Sequence, residues 1–300
     1  MMLCASCGTA GGDDIKLKRC NGCFVVRYCG VKCQRDHWPL HKKECKKRAA
    51  ELHDEILFKQ PESSYLGDCP ICYLPLPIDM KKSNMMSCCG KVICKGCDYA
   101  NKIQEMKGKL QCKCAFCRQP LSKDEELIER LMKRMEANDP NSMCHMGTKK
   151  YIEGDYAKSF EYFSRAAALG NAVAHHRLSV LYNNGQGVER NLKKKLHHLK
   201  EAAIGGHPDA RHDLGKLGLK NGSVDRAVKH FIIAAKLGYD KSLESVKGLH
   251  EGGFVSKEDF AAALCGYQAA IAAEKSPQRD EAAKIERWQA ERERKGESTF

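Results

Sequence analysis

Eight pairs of potential metal ligands crowd into the first 117 residues of this 300-residue chain. The first four are Cys4-x2-Cys7, Cys20-x2-Cys23, Cys29-x3-Cys33 and His41-x3-Cys45. The second four are Cys69-x2-Cys72, Cys88-Cys89, Cys94-x2-Cys97 and Cys114-x2-Cys117. Of the 18 cysteines only Cys144 and Cys265 lie beyond Cys117. Thiolate and imidazole are the donors zinc prefers, four to an ion in a tetrahedron, so eight interleaved ligands make two closed structural sites. Two such arrays predict four structural Zn2+ ions, with no open position for water or substrate. In a secreted protein the same pairs would be read as disulfides. The opening Met1-Met2-Leu3-Cys4-Ala5-Ser6-Cys7-Gly8 has no basic head followed by an apolar stretch. No uninterrupted apolar run is long enough to span a bilayer. The expected location is therefore a reducing compartment, cytoplasm or nucleus.

The first array, with "RYCGVKCQRDHWPLHKKEC" from Arg27 to Cys45, resembles the MYND finger. In that family the third pair sits in Tyr-Cys-x3-Cys-Gln, followed by Trp and a His-Lys-x2-Cys close. The family's pairs alternate, so the resemblance assigns Cys4, Cys7, Cys29 and Cys33 to a first zinc and Cys20, Cys23, His41 and Cys45 to a second. His37 competes with His41, but it falls on the variable position before Trp38. The resemblance implies a module that grips short, often proline-containing peptides. So little apolar matter is present that zinc binding, of order 10 kcal/mol per ion, would supply most of its stability. The basic run from Lys42 to Arg48 is read as the solvated face of the helix carrying Cys45, with an import signal as the alternative.

The second array follows a hinge containing Pro61-Glu62-Ser63-Ser64 and resembles a RING finger. There, pairs one and three share a zinc, as do pairs two and four. That resemblance assigns Cys69, Cys72, Cys94 and Cys97 to a third zinc and Cys88, Cys89, Cys114 and Cys117 to a fourth. The usual RING histidine is missing: its place in "SCCGKVICKGC" holds Lys91. A minority of RING fingers use eight cysteines, with the fourth ligand directly before the glycine, where Cys89 stands. Adjacent cysteines are a tight bite, so Cys112 remains the reserve ligand or a free thiol. RING resemblance also implies recruitment of a ubiquitin-conjugating enzyme, and with it ubiquitin-protein ligase activity of the E3 type. Ile71 would be the apolar contact, and Arg118 the arginine that bridges enzyme and ubiquitin. Ala115 departs from the family's Cys-Pro-x-Cys, and Tyr99 and Ile103 stand on the following helix without a tryptophan. The plainer readings are a core residue for Ile71 and an ordinary surface charge for Arg118.

The formal charge of +13 is dispersed. Basic and acidic residues number 12 and 7 in residues 1–60, 13 and 10 in 61–138, and 26 and 21 in 139–300. Zinc-bound thiolates would lower the net to about +6. A mildly basic surface accounts for this, and nucleic acid is not the expected partner.

Beyond Cys117 the periodicity becomes helical. Ser122-x-x-Glu125 is a capping box, and Leu127, Ile128, Leu131, Met132 and Met135 mark one apolar face. "RAAALG", "KEAAIGG" and "IAAKLG" then recur, with Gly170, Gly206 and Gly238 spaced 36 and 32 residues apart. Such periods with two helices per unit indicate a tetratricopeptide-like solenoid. Asn171 to Gly206, with its Gly-x-Gly-Val turn and Ala-Ala-x-x-Gly close, resembles a SEL-like repeat. Three good units (139–170, 171–206, 207–238) precede a degenerate fourth reaching about Ala273, whose second helix opens with the box Ser256-x-x-Asp259. The units should stack into a curved rod with a concave binding surface for a ligand the sequence does not identify. His175-His176 and His197-His198 are expected at the surface. From Lys275 onward a charged helix should fray, with Trp288 docked on the last repeat or exposed.

The expected fold is thus small zinc-stabilised α+β fingers followed by an all-α solenoid of helix-turn-helix repeats. Its segments are 1–48 (first finger), 49–66 (helical linker), 67–120 (second finger), 121–138 (connecting helix), 139–273 (repeats) and 274–300 (tail). No phosphate loop, Ser-His-Asp order or open three-ligand metal site points to an enzyme with its own catalytic pocket. The expected function is an adaptor that chooses protein partners and recruits ubiquitin machinery, the alternative being a non-enzymatic scaffold.

Overall fold

The computed structural model describes residues 2–121 and 124–295. They fall into two compact units, Met1–Lys59 and Gln60–Phe300. In the first, strands β1 (Lys18–Arg19) and β2 (Arg27–Tyr28) pair antiparallel, with Lys18 opposite Tyr28. Helix α1 then runs unbroken from Val31 to Leu57, through Pro39. It joins the end of the finger and the start of the linker in one element. Cys33, His37, His41 and Cys45 recur every four residues, which advances only about 40° beyond a full turn. All four therefore lie along one face of α1. The unit's buried centre is mostly ligand, Cys4, Cys20, Cys23 and Cys45 around Tyr28, with Leu17 and Val26 packed against it.

The second unit opens with the second finger. Strands β3 (Ser83–Met85) and β4 (Val92–Cys94) pair antiparallel, and helix α2 (Lys95–Lys107) follows directly. The Cys94 thiol caps α2 by accepting the Cys97 N–H at 3.4 Å. Leu76, Met86 and Ile93 form the finger's core together with its cysteines.

Helix α3 (Asp124–Glu136) leads into the repeats. Leu131 and Met135 are buried and Leu127 packs beside them, whereas Met132 is exposed, being turned about 100° from Leu131. The expected box depends on Ser122, which lies outside the described residues. Helix pairs α4 (Pro140–Ile152) and α5 (Tyr156–Ala168), α6 (Ala172–Asn184) and α7 (Leu192–Ile204), and α8 (Pro208–Lys220) and α9 (Val224–Lys236) form three units. A fourth pair, α10 (Asp240–Glu251) and α11 (Lys257–Ala273), stacks on α9.

Local chemistry explains the boundaries. Asp139, Asp155, Asn171, Asn191 and Ser256 each cap a helix by accepting a backbone N–H three residues on. Gly170, Gly206 and Gly238 adopt φ of 81°, 81° and 92°, the left-handed stop that glycine takes without steric penalty. Inside units one and three, Gly147 and Gly215 let Phe163 and Phe231 lie against the opposing helix backbone. At the equivalent positions of unit two, Ser179 and Leu199 are buried instead.

Two expectations fail here. Three of the four paired histidines are partly buried rather than at the surface: the Nδ1 atoms of His175 and His198 meet at 3.0 Å between α6 and α7, and His176 stacks on His207 at 4.5 Å. His197 alone of the four is exposed. The tail also does not fray after the last repeat. Helix α12 (Pro277–Arg294) packs against α2 of the finger, because Arg279 donates to the carbonyls of Pro75, Leu74 and Glu274 at 2.8, 3.2 and 2.8 Å. Trp288 stays exposed, beneath the Arg292 guanidinium at 4.9 Å.

Tyr65 and Met85 also join the finger to the repeats. Tyr65 stacks on His207 at 4.6 Å and its N–H donates to the Gly206 carbonyl at 3.4 Å. Met85 packs onto the core of the first repeat.

Candidate metal centres

Four tetrads converge, and they consist of the residues the pair spacings single out. They are Cys4, Cys7, Cys29 and Cys33; Cys20, Cys23, His41 and Cys45; Cys69, Cys72, Cys94 and Cys97; and Cys88, Cys89, Cys114 and Cys117. In each, the donor atoms lie within 4.8 Å of one another.

Backbone turns do the placing. After the second cysteine of four Cys-x2-Cys pairs the chain turns left-handed, at Gly8, Phe24, Tyr73 and Arg118, with φ between 56° and 76°. There its N–H returns to the carbonyl of the first cysteine at 2.8–3.0 Å. Only one of these positions is glycine, so three non-glycine residues hold a conformation that usually costs energy. Cys88 and Cys89 sit in the β3–β4 turn, closed by Gly90 at φ 65°. Cys94 and Cys97 bracket the start of α2. On α1, Cys33 serves one tetrad while His41 and Cys45, one turn apart, serve the other.

The donor spacing fits a metal ion. Zinc–sulfur bonds of about 2.3 Å in a tetrahedron place sulfurs about 3.8 Å apart. The Sγ separations are 3.6 Å for Cys7 and Cys29, 3.6 Å for Cys20 and Cys45, 3.8 Å for Cys72 and Cys94 and 3.9 Å for Cys89 and Cys114. A disulfide would need about 2.0 Å. Cys23 Sγ lies 3.3 Å from His41 Nε2.

Electrostatics agree. The Cys69 thiol is drawn down to about 4, by the Cys94 thiol beside it and against its own burial. Cys94 is pushed up by that same contact. Cys4 falls to about 6 through the backbone N–H groups of Cys7 and Cys29, while Cys29 rises to about 12 beside Cys33. Such closely placed thiols cannot all ionise together without a cation, and a dication removes the conflict. Several structural zinc ions, held in closed tetrads, follow from this chemistry.

The rivals are placed elsewhere. His37 accepts from or donates to the Tyr28 hydroxyl at 3.0 Å through Nδ1. Lys91 belongs to no tetrad, and its ammonium lies 5.9 Å from the Phe116 ring. Cys112 is exposed and outside every tetrad. Ile71 is 36% exposed. Arg118 is turned back onto α2, where it pairs with the buried Glu105 at 3.0 Å and donates to Asn101 Oδ1. Sequence reasoning missed Arg279, whose guanidinium lies 3.5 Å from Cys72 Sγ. No local pattern links it to a cysteine some two hundred residues away.

Comparison with known proteins agrees with this architecture. The MYND finger model matches residues 4–45, and the Sel1 repeat model matches 142–171, 172–207 and 208–239. "SET domain and MYND-type zinc finger protein 6" of Schizosaccharomyces pombe is 38% identical over 55 residues, 18% of this chain and 11% of that protein. "DAP3-binding cell death enhancer 1" of Mus musculus is 24% identical over 196 residues, 52% of this chain and 38% of its own length. The crystal structure of a Sel1 repeat protein from Oxalobacter formigenes superposes with a TM-score of 0.44 at 22% identity, over 52% of this chain and 68% of that one. The chain thus spans well under half the length of these two relatives. It carries a MYND finger and three Sel1 repeats, together with four tetrads whose donors suit zinc.

Proposed function

We propose that the second finger is of RING type and presents its first zinc loop to a ubiquitin-conjugating enzyme, while the MYND finger and the repeats select protein partners. In this reading Cys4, Cys7, Cys29 and Cys33 hold the first zinc and Cys20, Cys23, His41 and Cys45 the second. Cys69, Cys72, Cys94 and Cys97 hold the third, and Cys88, Cys89, Cys114 and Cys117 the fourth. The observation that carries it is the alternation of ligand pairs in residues 69–117, one with three and two with four, with Ile71 exposed between the first two. A finger of this kind has no nucleophile. It would hold the charged enzyme so that a lysine attacks the thioester. Phe24, Val25, Trp38 and Leu40 leave apolar surface exposed on the MYND finger, which suits a short peptide. Ligand thiols must stay reduced to bind zinc, so a reducing compartment, cytoplasm or nucleus, suits the whole chain.

The test is discharge of ubiquitin from a panel of charged conjugating enzymes by the zinc-loaded full chain. The full chain is needed because the finger packs on the repeats and α12. Acceleration that Ile71→Ala lowers about tenfold, at unchanged zinc content, is the expected result. Arg118→Ala is a poorer probe, since it also removes the ion-pair partner of buried Glu105. That same pairing favours a second reading, a non-enzymatic scaffold with Arg118 as a brace. No acceleration by a four-zinc protein would establish it.

A further inference from the structure

The seam between the second finger and the first two repeats forms an open cavity of about 430 Å³, within the range of small-ligand sites, roughly 300–1,000 Å³. Leu66, Met80, Met85 and Val92 of the finger side and Val173 of α6 give it apolar walls. Arg177 of α6 also lines it, and its Nε is closed off from solvent without a hydrogen-bond partner. Among the described residues no carboxylate or carbonyl is bonded to this guanidinium. The groups around it are neutral: burial raises the Cys144 thiol to about 12 and the Tyr65 phenol well above its ordinary range. The His207 imidazole is held far below its own by burial. A guanidinium stays charged at every physiological pH. The Arg177 side chain is half-buried beside these apolar walls with no counter-charge bonded to it, so the cavity offers an unpaired cation to an anionic ligand.

We propose that this cavity binds a small organic monocarboxylate, its carboxylate held by Arg177 and its hydrocarbon tail lying among Leu66, Met80, Met85, Val92 and Val173. Planar two-point recognition of a carboxylate is what a guanidinium does best. The apolar walls select against acetate, and the cation selects against an alcohol of the same length. The occupant would touch finger and repeat together. The site is independent of the ligase reading.

The experiment titrates the zinc-loaded full chain with hexanoate, hexanol and acetate, followed by ligand-observed NMR and calorimetry. Saturable binding of hexanoate is expected, with hexanol and acetate at least about tenfold weaker, the scale of one charge-assisted contact. Arg177→Gln should bring hexanoate to the level of hexanol and leave hexanol unchanged. Equal binding of hexanoate and hexanol would overturn the proposal. So would full hexanoate binding by a folded Arg177→Gln variant, or no saturation by hexanoate at millimolar concentration. Should that variant not fold, the comparison of the three probes on the unaltered chain still decides.

Discussion

Replacing a thiol that belongs to a tetrad removes a corner from a closed coordination shell, whereas replacing a free thiol removes only a small side chain. Cys88, Cys89 and Cys112 put this contrast within one finger. The first two stand in the β3–β4 turn, with Cys88 Sγ 3.3 Å from Cys117 Sγ and Cys89 Sγ 3.9 Å from Cys114 Sγ. Cys112 is exposed and does not belong to the tetrad. Cys88→Ser and Cys89→Ser should each lower zinc from four ions per chain to three, because a serine hydroxyl does not supply the anionic sulfur that the ion prefers. Cys112→Ser should keep all four. Elemental analysis of the purified variants reads this directly. Loss of zinc from Cys112→Ser with retention in Cys89→Ser would instead make Cys112 the eighth ligand. Lys91, which stands where a histidine ligand is usual, needs no compensation, since the Cys89 thiol supplies that corner two residues earlier.

At the scale of elements, the helix pairs are held by matched side-chain volumes across each hairpin. An added Cβ at Gly215 would stand 2.5 Å from the Phe231 ring, below any ordinary contact. Gly215→Ala should therefore destabilise the repeats by about 1–3 kcal/mol through overpacking, although alanine is the better helix former by about 1 kcal/mol. The second unit shows the compensation, with Ser179 and Leu199 in the equivalent places. Adding Phe231→Leu to Gly215→Ala should recover part of the loss, a coupling of about 0.5–3 kcal/mol in a double-mutant cycle read by urea unfolding. Additive single effects would mean that the two side chains do not share the space. These units were legible in sequence because a left-handed stop at Gly170, Gly206 and Gly238 and small alanines are local requirements. The tetrads were legible for the same reason, as a metal fixes the spacing of its nearest ligands. The placement of α12 was not, since its charged sequence has no strong apolar stripe and its anchor, Arg279, bonds to carbonyls near residue 75. The meeting of His175 and His198 was equally hidden, because it belongs to the contact between helices and not to either helix alone.

Across the whole molecule the zinc ions act on different bodies. The first two lie within Met1–Lys59 and the other two within Gln60–Phe300, so the consequences of removing them should separate. In the second unit the loop around the third tetrad is tied to the chain's last described helix: Arg279 bridges the Leu74 and Pro75 carbonyls and approaches Cys72 Sγ. Lys95, at the start of α2, pairs with Glu286 of α12. A cation beside a zinc-bound thiolate lowers the energy of its charged form, and partners around the ligands orient them. If zinc in this tetrad holds the loop that receives α12, then α12 must strengthen zinc by the same factor, since coupling between two binding equilibria is reciprocal. Removing residues 277–300, or Arg279→Ala alone, should thus weaken the third zinc about tenfold or more, the usual effect of deleting a group that supports a ligand. The MYND finger's two ions should be released as before, because they lie in the other unit. Competition against a graded series of chelators, with zinc release resolved into its successive steps, measures this. One step moving to weaker chelators while the others hold is the expected record. Identical release from the intact chain and both variants would show that α12 rests on the finger without sharing energy with its metal.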